Sequence, residues 1–200
     1  MVQSGIAGTS SGPMSTGPMS TGPSGRAMAQ AMEPDLLDAL QQHLSMERQA
    51  QIAYTAMALW CAERELRGFV QHFKQEAADE QQHASLFADY LVSRAQSVTL
   101  EALPAPRQQW SSVEEILAAV FQMEAEVTTS LQQLYALAER AADVRTTVFL
   151  DPIIQGQIDA EHHAAHLLGR VRLGRGDATA LLVIDGELSA GNSQPASLAG

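Results

Sequence analysis

Glu80 and His83 stand three residues apart in the run AADEQQHA, a spacing that sets a carboxylate and an imidazole one turn apart on one face of a helix. Helical bundles hold pairs of metal ions with that motif and with Glu residues from neighbouring helices. Glu47 and Glu124 supply two further carboxylates and Gln157 an amide, each at the middle of an otherwise apolar repeat. Oxygen donors dominate, with one imidazole and no thiolate, which suits Fe(II), Mn(II) or Zn(II) and not a structural Cys zinc site. Tyr54 falls two turns after Glu47 on the same face, and a buried phenol needs a hydrogen-bond partner, so it is expected beside the acids.

Four long helices must position these groups. Ala, Leu, Gln and Glu dominate residues 34–188, Pro and Gly are sparse there, and the fold class expected is all-α. The first helix opens at Pro34 and runs to about residue 62, the second covers about 66–96, and the third opens at a Ser112/Glu115 capping box and runs to 140. The fourth covers about 145–173, with a kink or a late start expected at Pro152, and stops at Gly174-Arg175-Gly176. A short fifth helix follows at about 177–188. The breaks near Arg64 and Asp143 allow only antiparallel neighbours, whereas residues 97–111, with Pro104 and Pro106, can span a bundle. Two hairpins joined by one long crossover result.

Each helix carries a seam with alternating spacings of three and four. The first reads Leu37, Leu40, Leu44, Glu47, Gln51, Tyr54, Ala58, Cys61, and the second Leu66, Phe69, Phe73, Glu76, Glu80, His83, Phe87, Tyr90. The third reads Val113, Leu117, Val120, Glu124, Val127, Leu131, Leu134, Ala138, and the fourth Leu150, Ile154, Gln157, Glu161, Ala164, Leu168, Val171. Every seam is apolar at both ends and polar at its centre. Glu47 and Glu80 are 33 positions apart, as are Glu124 and Gln157, so the polar positions of the two hairpins match in height. Carboxylates gathered in a low-dielectric core repel one another, and no Lys or Arg occupies a seam position to neutralise them. A bound cation supplies the missing charge. Gln51, Glu76 and Glu161 lie at the seam margins. Asp159-x-x-His162 imitates a second acid-x-x-His motif, but Asp159 lies about 200° around the helix from Gln157 and faces away, leaving His162, His163 and His166 as surface histidines.

Composition agrees with cations as the ligand class. Twelve Lys and Arg against 23 Asp and Glu leave a net charge of −11, which disfavours nucleic acid and anionic membrane as partners. The longest charge-free run of the body, residues 49–62, is 14 residues, shorter than the ~20 of a membrane span. Cys61 is the single cysteine, which excludes an internal disulfide and fits the cytoplasm. Residues 1–30, uncharged before Arg26 and carrying a GPMST repeat, are expected to be a disordered arm without the Arg-rich character of an organellar presequence. A helical domain at 31–189 and a flexible tail at 190–200 complete the chain.

These segments resemble the ferritins. Glu47 with Tyr54 resembles the family's first-helix pair, AADEQQHA (77–84) its acid-acid-x-x-His segment, MEAEVTTSL (123–131) its third-helix segment, and GQIDAE (156–161) its fourth-helix segment with a Gln. PDLLDALQQH, WCAERELRGF, RTTVFLDPII and TALLVIDGEL are similar to non-haem ferritins of marine cyanobacteria. The resemblance implies a ferritin-like four-helix bundle with a short C-terminal helix. It further implies a 24-subunit homo-oligomeric cage that binds two Fe(II) per subunit at a di-iron centre, oxidises them with O2 and stores Fe(III) as mineral. By position it implies Glu47, Glu80, His83 and Glu124 as ligands, Glu80 bridging both ions, Gln157 a weaker partner, and Tyr54 orienting the site or supplying an electron. Asp79 resembles a residue that passes iron toward the cavity, and Asp151 the carboxylates of the three-fold channel. Gln81, Gln157 and Ala160 replace the haem-ligating Met and the second Glu-x-x-His of bacterioferritins, so no haem is expected, and Ala160 leaves a third iron site without a carboxylate. Three rivals remain: a rubrerythrin-like di-iron peroxidase or oxygenase, which needs that second motif; a non-catalytic storage-cage subunit, which would lack these ligands; and a mini-ferritin, which would place its ligands between subunits and lack the fifth helix.

Overall fold

The computed structural model describes residues 30–191, and all but Gln30 of the expected arm and most of the expected tail lie outside them. Five helices follow in order: α1 Pro34–Ala62, α2 Arg67–Ser93, α3 Val113–Arg140, α4 Val144–Leu173 and α5 Ala178–Gly191. Helix α1 packs along α2 and α3 along α4, α1 also lies against α3, and α5 rests mainly on α2 with a smaller contact to α4. Among the described residues there is no strand, and no helix is long and apolar enough to cross a membrane.

Local chemistry accounts for where the helices start and stop. Pro34 occupies the first turn of α1, and Ser112 caps α3 by accepting from Glu115 N at 3.2 Å. The Glu115 carboxylate reaches back to Ser111 N at 2.7 Å and pairs with Arg107, completing the expected box one residue further out. At the ends of α1, α2 and α3 the residues Glu65, Ala95 and Ala142 take φ of 60°, 57° and 51°, and the next N–H bonds the carbonyl five residues back. This left-handed stop, usually a glycine position, tightens each turn. Pro152 neither delays nor breaks α4, which begins at Val144 and runs through it. Both Pro152 and Val148, whose carbonyl loses its donor, face solvent, so water can serve that oxygen.

The crossover, residues 94–112, runs along the outside of α1. Gln41 Nε2 donates to Ser97 O at 2.8 Å, Arg48 Nη1 donates to Glu101 O at 3.0 Å, and Trp110 meets Trp60 edge-on at 6.3 Å. Helix α2 has no cap from its own first residues. Asp185 of α5 provides one, accepting from Phe69 N at 3.0 Å, and Gly68 permits the approach because a Cβ there would fall 1.8 Å from Asp185 O. Helix α5 ends at Gly191, two residues beyond the expected domain boundary at 189.

A buried ion pair locks the opposite end. Arg94, at the end of α2, forks onto Asp143, the cap of α4, with Nη1–Oδ1 at 3.0 Å and Nη2–Oδ2 at 2.8 Å, and Nη1 also donates to Tyr90 Oη at 2.7 Å. Burial would raise the Asp143 carboxyl, but the Arg94 guanidinium holds it below the usual carboxylate value. Its contribution to stability is therefore full above the unfolded value of ~3.9 and is lost only as pH falls through the lower folded value. Arg94→Met strands a buried carboxylate and is expected to cost about 3–5 kcal/mol, read as a lowered thermal midpoint at pH 7. An unchanged midpoint would show that the pair does not tie the hairpins.

Candidate metal centre

Two apolar clusters fill the bundle, one containing Tyr54, Phe69, Phe73, Leu117 and Leu168, the other Leu40, Leu44, Phe87, Leu131 and Leu150. Between them lies a polar layer. Glu47 of α1, Glu80 of α2, Glu124 of α3 and Gln157 of α4 are exposed by only 1%, 6%, 3% and 9%. Each stands where its seam turns polar, so the matched spacing of the two hairpins becomes one height in the folded chain.

Glu47, Glu80 and His83 each place a ligand atom within 4.8 Å of the other two. His83 Nδ1 is 3.2 Å from Glu80 Oε2 and 3.9 Å from Glu47 Oε2, while its side chain keeps nearly half its surface in solvent. Glu124 lies across the layer. Tyr54 Oη donates to Glu124 Oε1 at 2.5 Å, and Gln157 Nε2 donates to Glu124 Oε2 at 2.9 Å and to Glu124 O at 3.2 Å. Tyr54, 1% exposed, is thereby tied to the third helix and not to Glu47 on its own.

Burial and hydrogen bonding set the protonation of the layer. Burial pushes Glu80 up to about 7, and burial likewise raises Glu47 and Glu124. His83, hydrogen-bonded to Glu80, is pushed up to about 9. Protons thus neutralise part of the charge. Among the described residues no Lys or Arg pairs with Glu47, Glu80 or Glu124; the ion-pair partners of Glu47 and Glu80 are histidines. Glu47 Oε2 is buried without a fixed donor, and the group that hydrogen-bonds the Glu47 carboxylate from across the helices is the protonated Glu80 carboxyl. A carboxylate oxygen without a fixed donor, beside a carboxylate and an imidazole, fits a divalent ion of intermediate hardness.

His43 is a member of this layer that the seam pattern does not single out. Fully buried, it sets Nε2 2.8 Å from Glu47 Oε1 and Nδ1 2.8 Å from Ser130 Oγ of α3, and burial lowers it to about 4, so it is neutral at pH 7. Its signal in the sequence is its position four residues before Glu47, one turn away. Lying against Glu47 on one side and bonded to Ser130 on the other, it limits where the Glu47 carboxylate can move.

The remaining sequence candidates fall around the layer. Asp79 is half-buried on the next position of α2 and accepts from Gln75 Nε2 at 3.0 Å. Asp151 is exposed on α4, where it raises the phenol of Tyr135 by hydrogen bonding, and it takes no part in the central cluster. Half-buried Glu161 accepts from Thr128 Oγ1 at 2.8 Å, and Gln51 is half-buried near Thr55. Asp159 and His162 are exposed, as the helical angle requires.

Residues 37–174 match the ferritin-like domain family. The chain belongs to the ferritin family. A bacterial non-heme ferritin of Staphylococcus saprophyticus is 31% identical over 160 residues, covering 80% of this chain and 95% of the relative. That of Staphylococcus aureus is 30% identical with 80% and 96% covered. An open pore ferritin of the hyperthermophilic archaeon Archaeoglobus fulgidus superposes with a TM-score of 0.78 at 27% identity, covering 80% and 98%. A humanized archaeal ferritin gives 0.77 at 26% identity, with 80% and 96% covered. Family and fold together support an iron-storage ferritin, and the all-α four-helix bundle with a short C-terminal helix is that of its structural neighbours.

Metal binding requires deprotonated donors, and Glu80 and His83 are pushed up to about 7 and about 9. Divalent metal binding at pH 7 is therefore expected to release protons and to strengthen as pH rises from 6 to about 9. Calorimetric titration with Zn(II) in two buffers of different ionisation enthalpy measures this, and a binding heat independent of buffer would contradict the assignment.

Proposed function

We propose that this ferritin is a ferroxidase: each subunit binds two Fe(II) ions at the Glu47, Glu80, His83, Glu124 layer, oxidises them with O2 and delivers Fe(III) to a stored mineral. The carrying observation is the convergence of Glu47, Glu80 and His83, two buried carboxylates and an imidazole, with Glu124 facing them across the bundle and no Lys or Arg paired with any of them among the described residues. Fe(II) is substrate here, not a permanent cofactor. The geometry suits Glu80, central among these residues, as the carboxylate shared between two ions, with Glu47 on one side and Glu124 with Gln157 on the other. Haem has no part in this reading, since Gln81 stands in place of a ligating Met.

Each part of the chain then has a task. Arriving Fe(II) displaces the protons that Glu80 and His83 hold, and the carboxylate oxygens favour Fe(III) over Fe(II). Two electrons, one from each ion, pass to a single O2. Tyr54 and Gln157 fix both oxygens of Glu124 before iron arrives, so the site needs little reorganisation on that side. Half-exposed His83 and Asp79 lie on the same stretch of α2 and provide the passage between centre and surface. Asp151 is proposed as a channel carboxylate. Assembly into a hollow 24-subunit cage rests on the likeness to the archaeal ferritins and on apolar residues such as Leu59, Ile158 and Leu173, which are 62%, 65% and 82% exposed in the isolated chain. Residues 31–189 form the cage-building domain in this reading, with residues 1–30 and 190–200 as appendages, and the lone Cys61 suits a cytoplasmic protein.

Glu80→Ala with His83→Ala is expected to abolish rapid Fe(II) oxidation in stopped-flow absorbance while native mass still reports the assembled particle. Oxidation at the native rate would move the centre elsewhere. Tyr54→Phe is expected to leave anaerobic Fe(II) binding intact and to alter the later phase of oxidation. Kinetics identical to those of the unaltered protein would confine Tyr54 to packing.

A further inference from the structure

A group of imidazoles lies beyond the polar layer and is not used by the ferroxidase reading. His72 of α2 is 8% exposed, and its Nδ1 is 3.4 Å from Glu76 Oε1 one turn along the helix. Its ring meets that of His163 of α4, with centroids 5.4 Å apart and planes at 60°. His162 and His166 stand outside, stacked at 6.4 Å. Glu76 also feels the charges of Glu124, Asp79 and Glu80, so it lies between this group and the central layer.

We propose that His72, Glu76 and His163 form a second divalent-metal site, two imidazoles and one carboxylate, adjoining the carboxylate centre. Two His and one carboxylate with open positions are a donor set for Fe(II), and the nitrogen share makes it more favourable to Zn(II) or Co(II) than the oxygen-rich centre is. Metal–nitrogen bonds of ~2.0–2.1 Å require imidazole nitrogens about 3.4 Å apart around a tetrahedral ion. His72 Nδ1 and Glu76 Oε1 already stand 3.4 Å apart, a separation that suits two donors on one ion; His163, whose ring packs on His72 but whose nitrogens do not converge with both in this arrangement, must turn its exposed ring inward to complete the set. Burial keeps His72 neutral, so no proton need leave it for an ion to enter. The site stands whether or not the central layer oxidises iron.

Anaerobic Co(II) titration in the Glu80→Ala/His83→Ala protein tests this with the central layer disabled. Visible absorption of the ion reports its ligands, and native mass reports folding and assembly. This background is expected to retain a Co(II) site with nitrogen-ligand absorption. His163→Ala added to it, a surface change, is expected to weaken that binding about tenfold or more, and His72→Ala likewise. His162→Ala with His166→Ala is expected to leave it unchanged. Absence of the site in the background protein, unchanged binding on His163→Ala, or loss that follows His162 and His166 would each overturn the proposal. Failure of the central reading shows separately, in the iron oxidation of the unaltered protein.

Discussion

The structure turns on the repulsion among three carboxylates enclosed in a helical core. Glu47, Glu80 and Glu124 are each more than nine-tenths buried and face one another, with no guanidinium or ammonium group paired with them among the described residues. Such a layer is unfavourable for a bundle that only needs to be stable, because Leu at these positions would pack with the neighbouring clusters. Burial raises all three carboxyls, Glu80 to about 7, so protons held within the layer relieve part of that repulsion, and the proposed exchange of those protons for Fe(II) would relieve the rest.

A destabilising middle must be held by its ends. The polar layer separates two apolar clusters, each contributed by all four long helices, so burial on both sides fixes the helices around the acids. At one end the Arg94–Asp143 fork joins the termini of α2 and α4, and at the other Asp185 of α5 caps the start of α2. Both devices act on α2, the helix that carries Glu80 and His83. Its axial position decides whether these two groups meet Glu47, and a slip of one turn would separate them by ~5.4 Å.

Rigidity is distributed unevenly within the layer. Glu124 is held by Tyr54 and Gln157, and Glu47 lies beside His43, which is itself anchored to Ser130. His83 remains partly in solvent, with Glu76 and Asp79 nearby on the same helix. Fixed carboxylates on α1 and α3 thus face a freer edge along α2, as the proposed passage of Fe(II) requires. The imidazoles at His72 and His163 extend that edge toward α4.

Much of this was legible in the linear chain. Three-and-four spacing specifies bundle helices, the equal separations of Glu47 from Glu80 and of Glu124 from Gln157 specify a common height, and Ser112 with Glu115 marks the start of α3. These are local or periodic signals, and helix geometry converts them directly into position. Other features depend on contacts between residues distant in sequence. His43 is buried and meets Ser130 only when α1 packs on α3, and Asp185 becomes a cap only when α5 folds back over Gly68. Arg94 finds Asp143 only across the bundle, and Pro152 is accommodated because its face of α4 looks to water. Periodicity states which side of a helix is buried; what each buried group touches is decided by the neighbouring helices, whose placement no local pattern encodes.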